Sequence, residues 1–250
     1  MKYLLTTILL ITVSSAHSQG IQFGFKGNLG LSFVNNQLIS QDQSTYSTPP
    51  QLSYGAEFPV YLQLSSAIWL RSGIGIQNKS FRLALNSLSD PDIPVQGLIN
   101  IRIGAFALQL PLIACLNPKA NENIMIEAGM LFSRHSPISQ TISGSSPSDI
   151  NQTVSGIEIN SGAPNFDVTY TPELYAAFSY FLPSDNGIRQ QLQVSFEYGL
   201  RQASRFDFEG EVLRPNGNIP FAGSLQASFS TLKFSYTIFP FWKSTKKTTR

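Results

Sequence analysis

The sequence has few of the residues from which catalytic and metal sites are usually built. Its 250 residues include one cysteine and two histidines, and only 13% are Asp, Glu, Lys or Arg, against about 25% in soluble globular domains. A single cysteine, Cys115, excludes a disulfide within the chain and any cysteine-rich metal site. The formal charge of +2 comes without a basic stripe along the chain, so no nucleic-acid partner is expected.

The chain also lacks an apolar run of the roughly 20 residues that a membrane-spanning helix needs. The apolar block Leu4 to Val13 follows Lys2 and precedes Ala16-His17-Ser18, which is the order of features in a secretory signal peptide. We therefore expect residues 1–18 to be a signal peptide that is cleaved before Gln19. No cysteine follows the block, so a lipoprotein is not expected.

What the sequence does have is alternation of apolar and polar residues with a period of two, the pattern of a β-strand. The alternation is clearest between Ser53 and Lys79. Its apolar positions are Tyr54, Ala56, Phe58, Val60, Leu62 and Leu64 in a first run, and Ile68, Leu70, Ile74 and Ile76 in a second. Ser65-Ser66-Ala67 joins the runs, which predicts a hairpin with a turn of about three residues. Each run is long enough to cross a bilayer, which takes roughly 9–11 tilted residues.

The same alternation predicts eight strands in all, joined by connections that are alternately long and short. The predicted strands cover, approximately, residues 21–34, 53–64, 68–79, 100–116, 123–133, 166–182, 188–201 and 224–241. The long connections are predicted at 35–50, 81–99, 135–165 and 202–223. Outer-membrane barrels have short periplasmic turns and longer extracellular loops. We therefore predict an all-β fold, an eight-stranded antiparallel up-and-down transmembrane β-barrel over residues 19–242, followed by a basic periplasmic tail at 243–250.

Two irregularities interrupt this pattern. In the fourth strand the apolar face moves from Ile101, Ile103 and Ala105 to Leu108, Leu110 and Leu112, which predicts a bulge near Ala105–Ala107. In addition, Pro59, Pro111 and Pro172 fall inside predicted strands. A closed sheet has no edge strand to accommodate the missing N–H of a proline, so these prolines are expected at bulges or near the membrane interface.

The faces opposite the apolar ones carry balanced charges. They are the basic residues Lys26, Arg71, Arg102, Arg201 and Lys233 and the acidic residues Glu57, Glu127, Asp167, Glu173 and Glu197. An eight-stranded barrel is just wide enough for side chains to fill, and an unpaired buried charge is costly. We therefore expect these residues to form a structural charge network that plugs the lumen. No catalytic, cofactor-binding or metal-binding residue is assigned.

Several segments resemble the PorT-like outer-membrane β-barrel family of bacteroidete-type bacteria. The similar segments are Phe23-Gly24-Phe25-Lys26-Gly27, Leu29-Gly30-Leu31-Ser32, Gly73-Ile74-Gly75-Ile76-Gln77-Asn78-Lys79 and Gln109-Leu110-Pro111-Leu112-Ile113. Gly30 replaces a frequent Asn of that family, and Ala114-Cys115 replaces a frequent Lys and aromatic residue. The resemblance implies an outer-membrane barrel, often of unassigned role, and one member of that family assists a protein-secretion and gliding machinery.

Together these features predict a non-enzymatic, monomeric barrel in the outer membrane of a Gram-negative-type bacterium. It would contact outer-membrane lipid, need no cofactor, and have a structural or interaction role through its surface loops. A protein partner at those loops or on the periplasmic side is left open. The alternatives are an accessory component of a protein-secretion apparatus, a conducting pore, and a rim enzyme acting on outer-membrane lipid, with His135 as base beside Arg134 and Ser136.

Overall fold

The computed structural model describes residues 20–40, 45–87, 99–118, 123–144, 156–161, 165–166, 170–183, 188–213 and 217–240. The predicted signal peptide and basic tail lie outside these ranges. The strand segments within them form one antiparallel sheet. No helix in the described ranges is long and apolar enough to cross a membrane.

The strand segments belong to eight consecutive strands, each continuous or interrupted by a few residues. Strand one comprises Ile21–Phe23 and Phe25–Ser40, strand two Thr45–Ser47 and Gln51–Gln63, strand three Ile68–Asn78 and Phe81–Ser87, and strand four Ile99–Leu116. Strand five is Ile124–Gly144, strand six comprises Gly156–Ser161, Asn165–Phe166 and Thr171–Leu182, strand seven Arg189–Gly199 and Ser204–Leu213, and strand eight is Ile219–Phe239.

Pairing between these strands closes the sheet into a barrel. Each strand pairs antiparallel with the next one along the chain, and strand eight pairs with strand one over Phe25–Ser40. In the first hairpin, the N–H groups of Leu64 and Ser65 donate to the Ile68 carbonyl at 2.9 and 3.0 Å, which matches the predicted turn. The predicted eight-stranded, antiparallel, up-and-down barrel is confirmed. We call the end that contains the Ser65-Ser66-Ala67 turn the turn end, and the opposite end, at which Ser40 and Gly144 lie, the loop end.

The outer surface carries a continuous belt of exposed apolar side chains. Members of this belt from all eight strands include Phe25, Leu31, Phe58, Ile74, Leu112, Ile126, Phe178, Phe196 and Phe234. Their neighbours along each strand point inward and are mostly polar, so the apolar face is the outer one, as hydrocarbon contact requires. An apolar exterior, an even number of antiparallel strands and short turns at one end characterise the barrels of bacterial outer membranes, and the protein belongs to that membrane.

Strand four does not change phase. Ile103, Ala105, Ala107 and Gln109 are all buried on its inner face, so the predicted bulge in this strand is wrong. The register with strand five does shift between Gly104 and Ala105, but the extra residue is Ile138, in strand five. The prediction assumed that the apolar side chains of a strand all face outward. In strand four this assumption fails, because the lumen is apolar towards the loop end and Ile103, Ala105 and Ala107 face inward there.

Two of the three prolines lie on either side of one glycine. Pro59 of strand two pairs with Gly73 of strand three. In the described strands, the ladder between strands three and four has no pair between Arg71–Ile113 and Gly75–Gln109, the interval that contains Pro111. Gly73 has a φ of 143°, a conformation that favours glycine. This glycine therefore accommodates the two neighbours that lack an N–H.

Pro172 lies near the loop-end limit of the belt, in the segment Thr171–Leu182. Its carbonyl accepts a hydrogen bond from the N–H of Leu200 at 3.1 Å, and it pairs with Phe132 in strand five. Pro172 is the second residue of its strand segment and lies one pair from the end of the described ladder with strand five, and the start of a strand is one of the places where a proline is tolerated.

At the loop end the strands continue well into the segments predicted as loops, so those predicted limits are wrong. There the described strands no longer close the wall. Among the described residues, the pairs between strands one and two end at Ser32–Gln51, and those between strands five and six end at Ser133–Thr171. Beyond these positions, within the described ranges, strands six, seven, eight and one form one half-sheet, and strands two, three, four and five form another. We call these two half-sheets the extension.

Candidate functional site: the barrel interior

The interior is filled by side chains in layers along the barrel axis. A turn-end layer consists of Tyr61, Trp69, Ile113, Cys115, Met125, Phe181 and Phe239. A loop-end layer consists of Phe81, Leu83, Ile103, Phe206, Phe208, Leu225 and Phe229. Between them lies a charged layer, which contains most of the buried ionisable groups. This order places the charges where the wall crosses the bilayer.

Aromatic contacts hold both apolar layers together. At the turn end, the Phe239 ring lies 5.5 Å from the Tyr61 ring and 6.1 Å from the Phe181 ring, measured between centroids. At the loop end, Phe229 from one half-sheet contacts Phe81 and His135 from the other, with centroids 5.8 and 5.2 Å apart. The charged layer is thus covered by packed rings on both sides.

Arg71 organises one half of the charged layer. Its Nε and Nη2 donate to Glu57 Oε1 and Oε2 at 3.0 and 2.9 Å, and Nη1 donates to Glu127 and, at 2.9 Å, to the Tyr175 hydroxyl. The guanidinium also lies 4.9 Å from the centre of the Tyr175 ring. Lys26 Nζ is 3.3 Å from Glu57 Oε2. A planar guanidinium has the geometry for such bidentate contacts.

Glu127 is additionally surrounded by neutral donors. Gln193 Nε2 and Ser179 Oγ donate to its Oε1 at 2.6 and 3.0 Å, and Gln191 Nε2 donates to the same oxygen at 3.3 Å. Together with Arg71 these donors satisfy a carboxylate that is only 1% exposed. Burial of a charge is tolerated when its hydrogen-bonding capacity is met in this way.

The second half of the charged layer is a chain of alternating charges. Lys79 Nζ lies 2.6 Å from Glu173 Oε2 and 3.2 Å from Glu197 Oε2. Glu197 also pairs with Lys233, whose Nζ donates to Gln77 Oε1 at 2.9 Å. His135 Nε2 lies 3.7 Å from Glu173 Oε1. Each charged group therefore faces at least one group of opposite charge.

Seven of the ten predicted network residues lie in this layer: Lys26, Glu57, Arg71, Glu127, Glu173, Glu197 and Lys233. Asp167 is outside the described residues. Arg102 and Arg201 are exposed, so their predicted lumenal position is wrong. Arg102 is out of phase with the inner face of strand four, and Arg201 falls in the break between the two segments of strand seven.

Lys79 is the network member that the predicted site omitted. It follows Arg71, Gly73, Gly75 and Gln77 on the inner face of strand three, so its phase was the available signal. With Lys79 included, the charged layer, as far as the chain is described, balances Lys26, Arg71, Lys79 and Lys233 against Glu57, Glu127, Glu173 and Glu197.

His135 does not lie at the rim, where the alternative of a rim enzyme would place it. It points into the barrel, whereas Arg134 and Ser136 are exposed on the opposite face, so neither can act with it. His135 Nδ1 instead lies 3.3 Å from Thr171 Oγ1. That hydroxyl donates to the Ser133 carbonyl at 2.9 Å, and both side chains are at most 2% exposed. The histidine therefore packs inside the wall, away from solvent.

The charged layer is not arranged as a metal centre. In the described part of the chain, no three His, Cys, Asp or Glu side chains come together as metal ligation would require. Cys115 is buried in the turn-end layer, where its Sγ lies 3.9 Å from the Ile113 carbonyl oxygen. It acts there as a small apolar side chain.

Comparison with known proteins found neither a matching family model nor a matching curated protein. Among solved structures, the chain is similar to the outer membrane protein OprG from Pseudomonas aeruginosa, at 9% identity over 88% of this chain and 96% of that one, with a TM-score of 0.44. It is similar to the translocator domain of the autotransporter NalP from Neisseria meningitidis, at 10% identity over 93% and 94%, with a TM-score of 0.35. It is also similar to the outer membrane protein AlkL, at 13% identity over 90% of this chain and 94% of that one, with a TM-score of 0.36. The fold assignment rests on this chain's own strand pairing and belt.

Proposed function

We propose that this protein is a non-enzymatic outer-membrane barrel with a closed, non-conducting interior, and that it has a structural or interaction role through its extracellular extension. The observation that carries the proposal is the filled lumen. Four cations and four carboxylates are paired across it, and packed apolar layers lie on both sides of them.

A paired network of this kind opposes ion passage. A permeating ion would have to separate buried charge pairs such as Arg71–Glu57 and Lys79–Glu173, whose side chains are at most 10% exposed. Breaking a buried pair leaves an uncompensated charge, which typically costs about 3–5 kcal/mol. The permeating ion would also have to displace Tyr61, Phe181 and Phe239 in the turn-end layer. These two barriers in series favour a closed barrel.

The extension supports an interaction role. On the outer face of strand seven it presents Arg205, Asp207, Glu209 and Glu211, all exposed, while its inner face packs into the loop-end layer through Phe206 and Phe208. Exposed loops and strands held on a rigid scaffold are common sites of recognition. The rigid part here is the barrel, and the accessible part is the extension.

Recordings from planar lipid bilayers test the closed interior. The purified protein, shown to be folded by heat-modifiable gel migration, is expected to give no conductance steps. A matched variant that carries Tyr61→Ala, Phe181→Ala and Arg71→Ala weakens both barriers and, once its folding is verified by the same gel migration, is the positive control for conductance. Regular steps from the unmodified protein would overturn the proposal.

A further inference from the structure

Six oxygen atoms on one side of the lumen have no hydrogen-bond partner among the residues that the structure describes. They belong to Asn28, Ser32, Ser195, Thr231, Ser235 and Thr237. The five hydroxyl-bearing side chains are between 0% and 6% exposed. Buried polar groups in proteins are almost always satisfied, by protein atoms or by ordered water. Six such oxygens together therefore indicate a ligand that can donate hydrogen bonds.

The strand register brings these oxygens next to one another. Ser32 pairs directly with Thr231, and Asn28 pairs directly with Ser235, both between strands one and eight. Directly paired residues on one face have Cβ atoms about 4.5–5.5 Å apart, a span that one water molecule can bridge between two side-chain oxygens. Thr237 continues the row towards the turn end.

Side-chain length separates these groups from the charge network. On the same wall, the long side chains of Gln193 and Lys233 reach across the lumen and donate hydrogen bonds to Glu127 and Gln77, and Lys26 donates one to Gln193. The short side chains between them do not reach those partners. The row of unpartnered oxygens therefore lies beside the network and is not part of it.

The row is closed at both ends. Towards the turn end, Thr237 is followed on the inner face by Phe239, whose ring packs on Tyr61. Towards the loop end, Thr231 is followed by Phe229, whose ring packs on Phe81. A ligand held between these rings must be small, and it must be present when the barrel closes around it or enter by local opening.

We propose that the inner face of strand eight binds a file of ordered water molecules between Thr231 and Thr237. The waters bridge Ser32 to Thr231 and Asn28 to Ser235, and they hydrate the charged layer beside Lys233. The inference rests on the proposed closed interior, because an open pore would contain bulk water instead. Water fits these sites because it donates to the unpartnered oxygens and carries no charge that would upset the balanced layer.

Solid-state NMR of the full-length protein in deuterated lipid tests the proposal through magnetisation transfer from water to side chains. Transfer to Thr231, Ser235 and Thr237 should be several-fold faster than transfer to Ser179, which lies at a similar depth but is hydrogen-bonded to Glu127 and Gln193. A variant that carries Thr231→Val, Ser235→Ala and Thr237→Val should lose the transfer to this wall.

The outcomes separate this inference from the proposed function. Transfer to strand eight no faster than to Ser179 would overturn the water file and leave the closed barrel intact. Unchanged transfer to the amides of residues 231–237 in the triple variant, with folding verified by heat-modifiable migration, would also overturn it. Conductance steps from the unmodified protein would instead overturn the closed interior.

Discussion

The part of the barrel within the belt and the extension above it are made of the same strands but are organised differently. Within the belt every strand has two paired neighbours, the outer face is apolar and the lumen holds the charges. In the extension the sheet divides into two halves, its outer face carries charged residues such as Asp207 and Glu209, and apolar side chains such as Phe206 lie inside. The inside–outside order of polarity is therefore reversed along single strands.

The surrounding solvent explains this difference. In hydrocarbon an unpaired backbone group has no partner, so the wall must close. Leu31 and Leu52 are paired at the top of the belt and are exposed to lipid, and the next pair, Ser32–Gln51, is the last that joins strands one and two in the part of the chain that the structure describes. Above it, Pro49 and Pro50 have no N–H to donate, and water can satisfy the free edge.

The largest expected effect comes from Arg71→Ala in the charged layer, compared with Arg102→Ala in the extension. Removing Arg71 leaves Glu57 and Glu127 buried without their main partner, which should lower the free energy of unfolding by about 3–5 kcal/mol. Arg102 is exposed, so its loss should change that energy by no more than about 0.5 kcal/mol. Urea unfolding of protein folded into lipid vesicles measures both. Equal losses would contradict the distinction between the two regions.

A new arginine should destabilise the protein on the lipid-facing surface and have little effect on the outer surface of the extension. Phe234→Arg places a charge on the lipid face, where an arginine costs about 2–4 kcal/mol near the midplane; Phe234 is 63% exposed there. Glu209→Arg in the extension remains in water and should stay within about 0.5 kcal/mol. The unfolding free energy in vesicles again serves as the measurement. A tolerated arginine at position 234 would argue against the belt.

Two glycines of strand one test how tightly strands one and eight close the barrel. A Cβ at Gly30 would lie 2.0 Å from the Leu232 carbonyl oxygen, whereas a Cβ at Gly27 would have no neighbour within 4 Å. Overpacking of this kind costs typically about 1–3 kcal/mol, so we expect Gly30→Ala to be destabilising and Gly27→Ala to be nearly neutral. If unfolding midpoints of the two variants coincide, the close approach at Gly30 is wrong.

The smallest expected effect needs no substitution. Strand five pairs with strand six from Ile124 to Ser133 and with strand four from Ile126 onward, so residues 126–133 are paired on both sides; beyond Ser133 its pairs among the described residues are with strand four alone. Amide hydrogen exchange should therefore be uniformly slow over residues 126–133. Over residues 138–144 it should alternate between protected amides, which bond to strand four, and fast amides at the free edge. Uniform protection of residues 138–144 would indicate that the wall closes there too.

The fold was predictable because lipid forces one simple rule on the belt. Alternation assigned the outward face of Phe58 and Ile74 and the inward face of Arg71 and Lys233 before any pairing was known. The same rule failed for Arg102 because the lumen there is apolar and the exterior is aqueous. The alternation with a period of two continues through Arg102, but there the polar face of strand four is the outer one and the apolar face is the inner one.

Other features could not be read from alternation at all. In segment 156–161 only Ile157 and Ile159 alternate with polar residues, within a long stretch of Ser, Thr, Asn, Gly and Pro, and a run this short was predicted as part of a loop. Strand seven is interrupted after Gly199, and beyond the interruption its inner face is formed by Ser204, Phe206 and Phe208. Arg201 lies in the interruption, so the alternation of strand seven does not assign its side chain to either face. The contact of Lys79 with both Glu173 and Glu197 depends on barrel geometry, which joins residues distant in sequence.

The central claim is that one face of each strand meets lipid while the other meets a closed charged lumen. Nitroxide scanning of residues 232–238 in lipid vesicles tests it directly, by comparing collision rates with lipid-soluble oxygen and a water-soluble nickel chelate. We predict high oxygen accessibility at Leu232, Phe234, Tyr236 and Ile238, and low accessibility to both reagents at Lys233, Ser235 and Thr237. High nickel accessibility at the odd positions, or oxygen maxima there, would contradict the account.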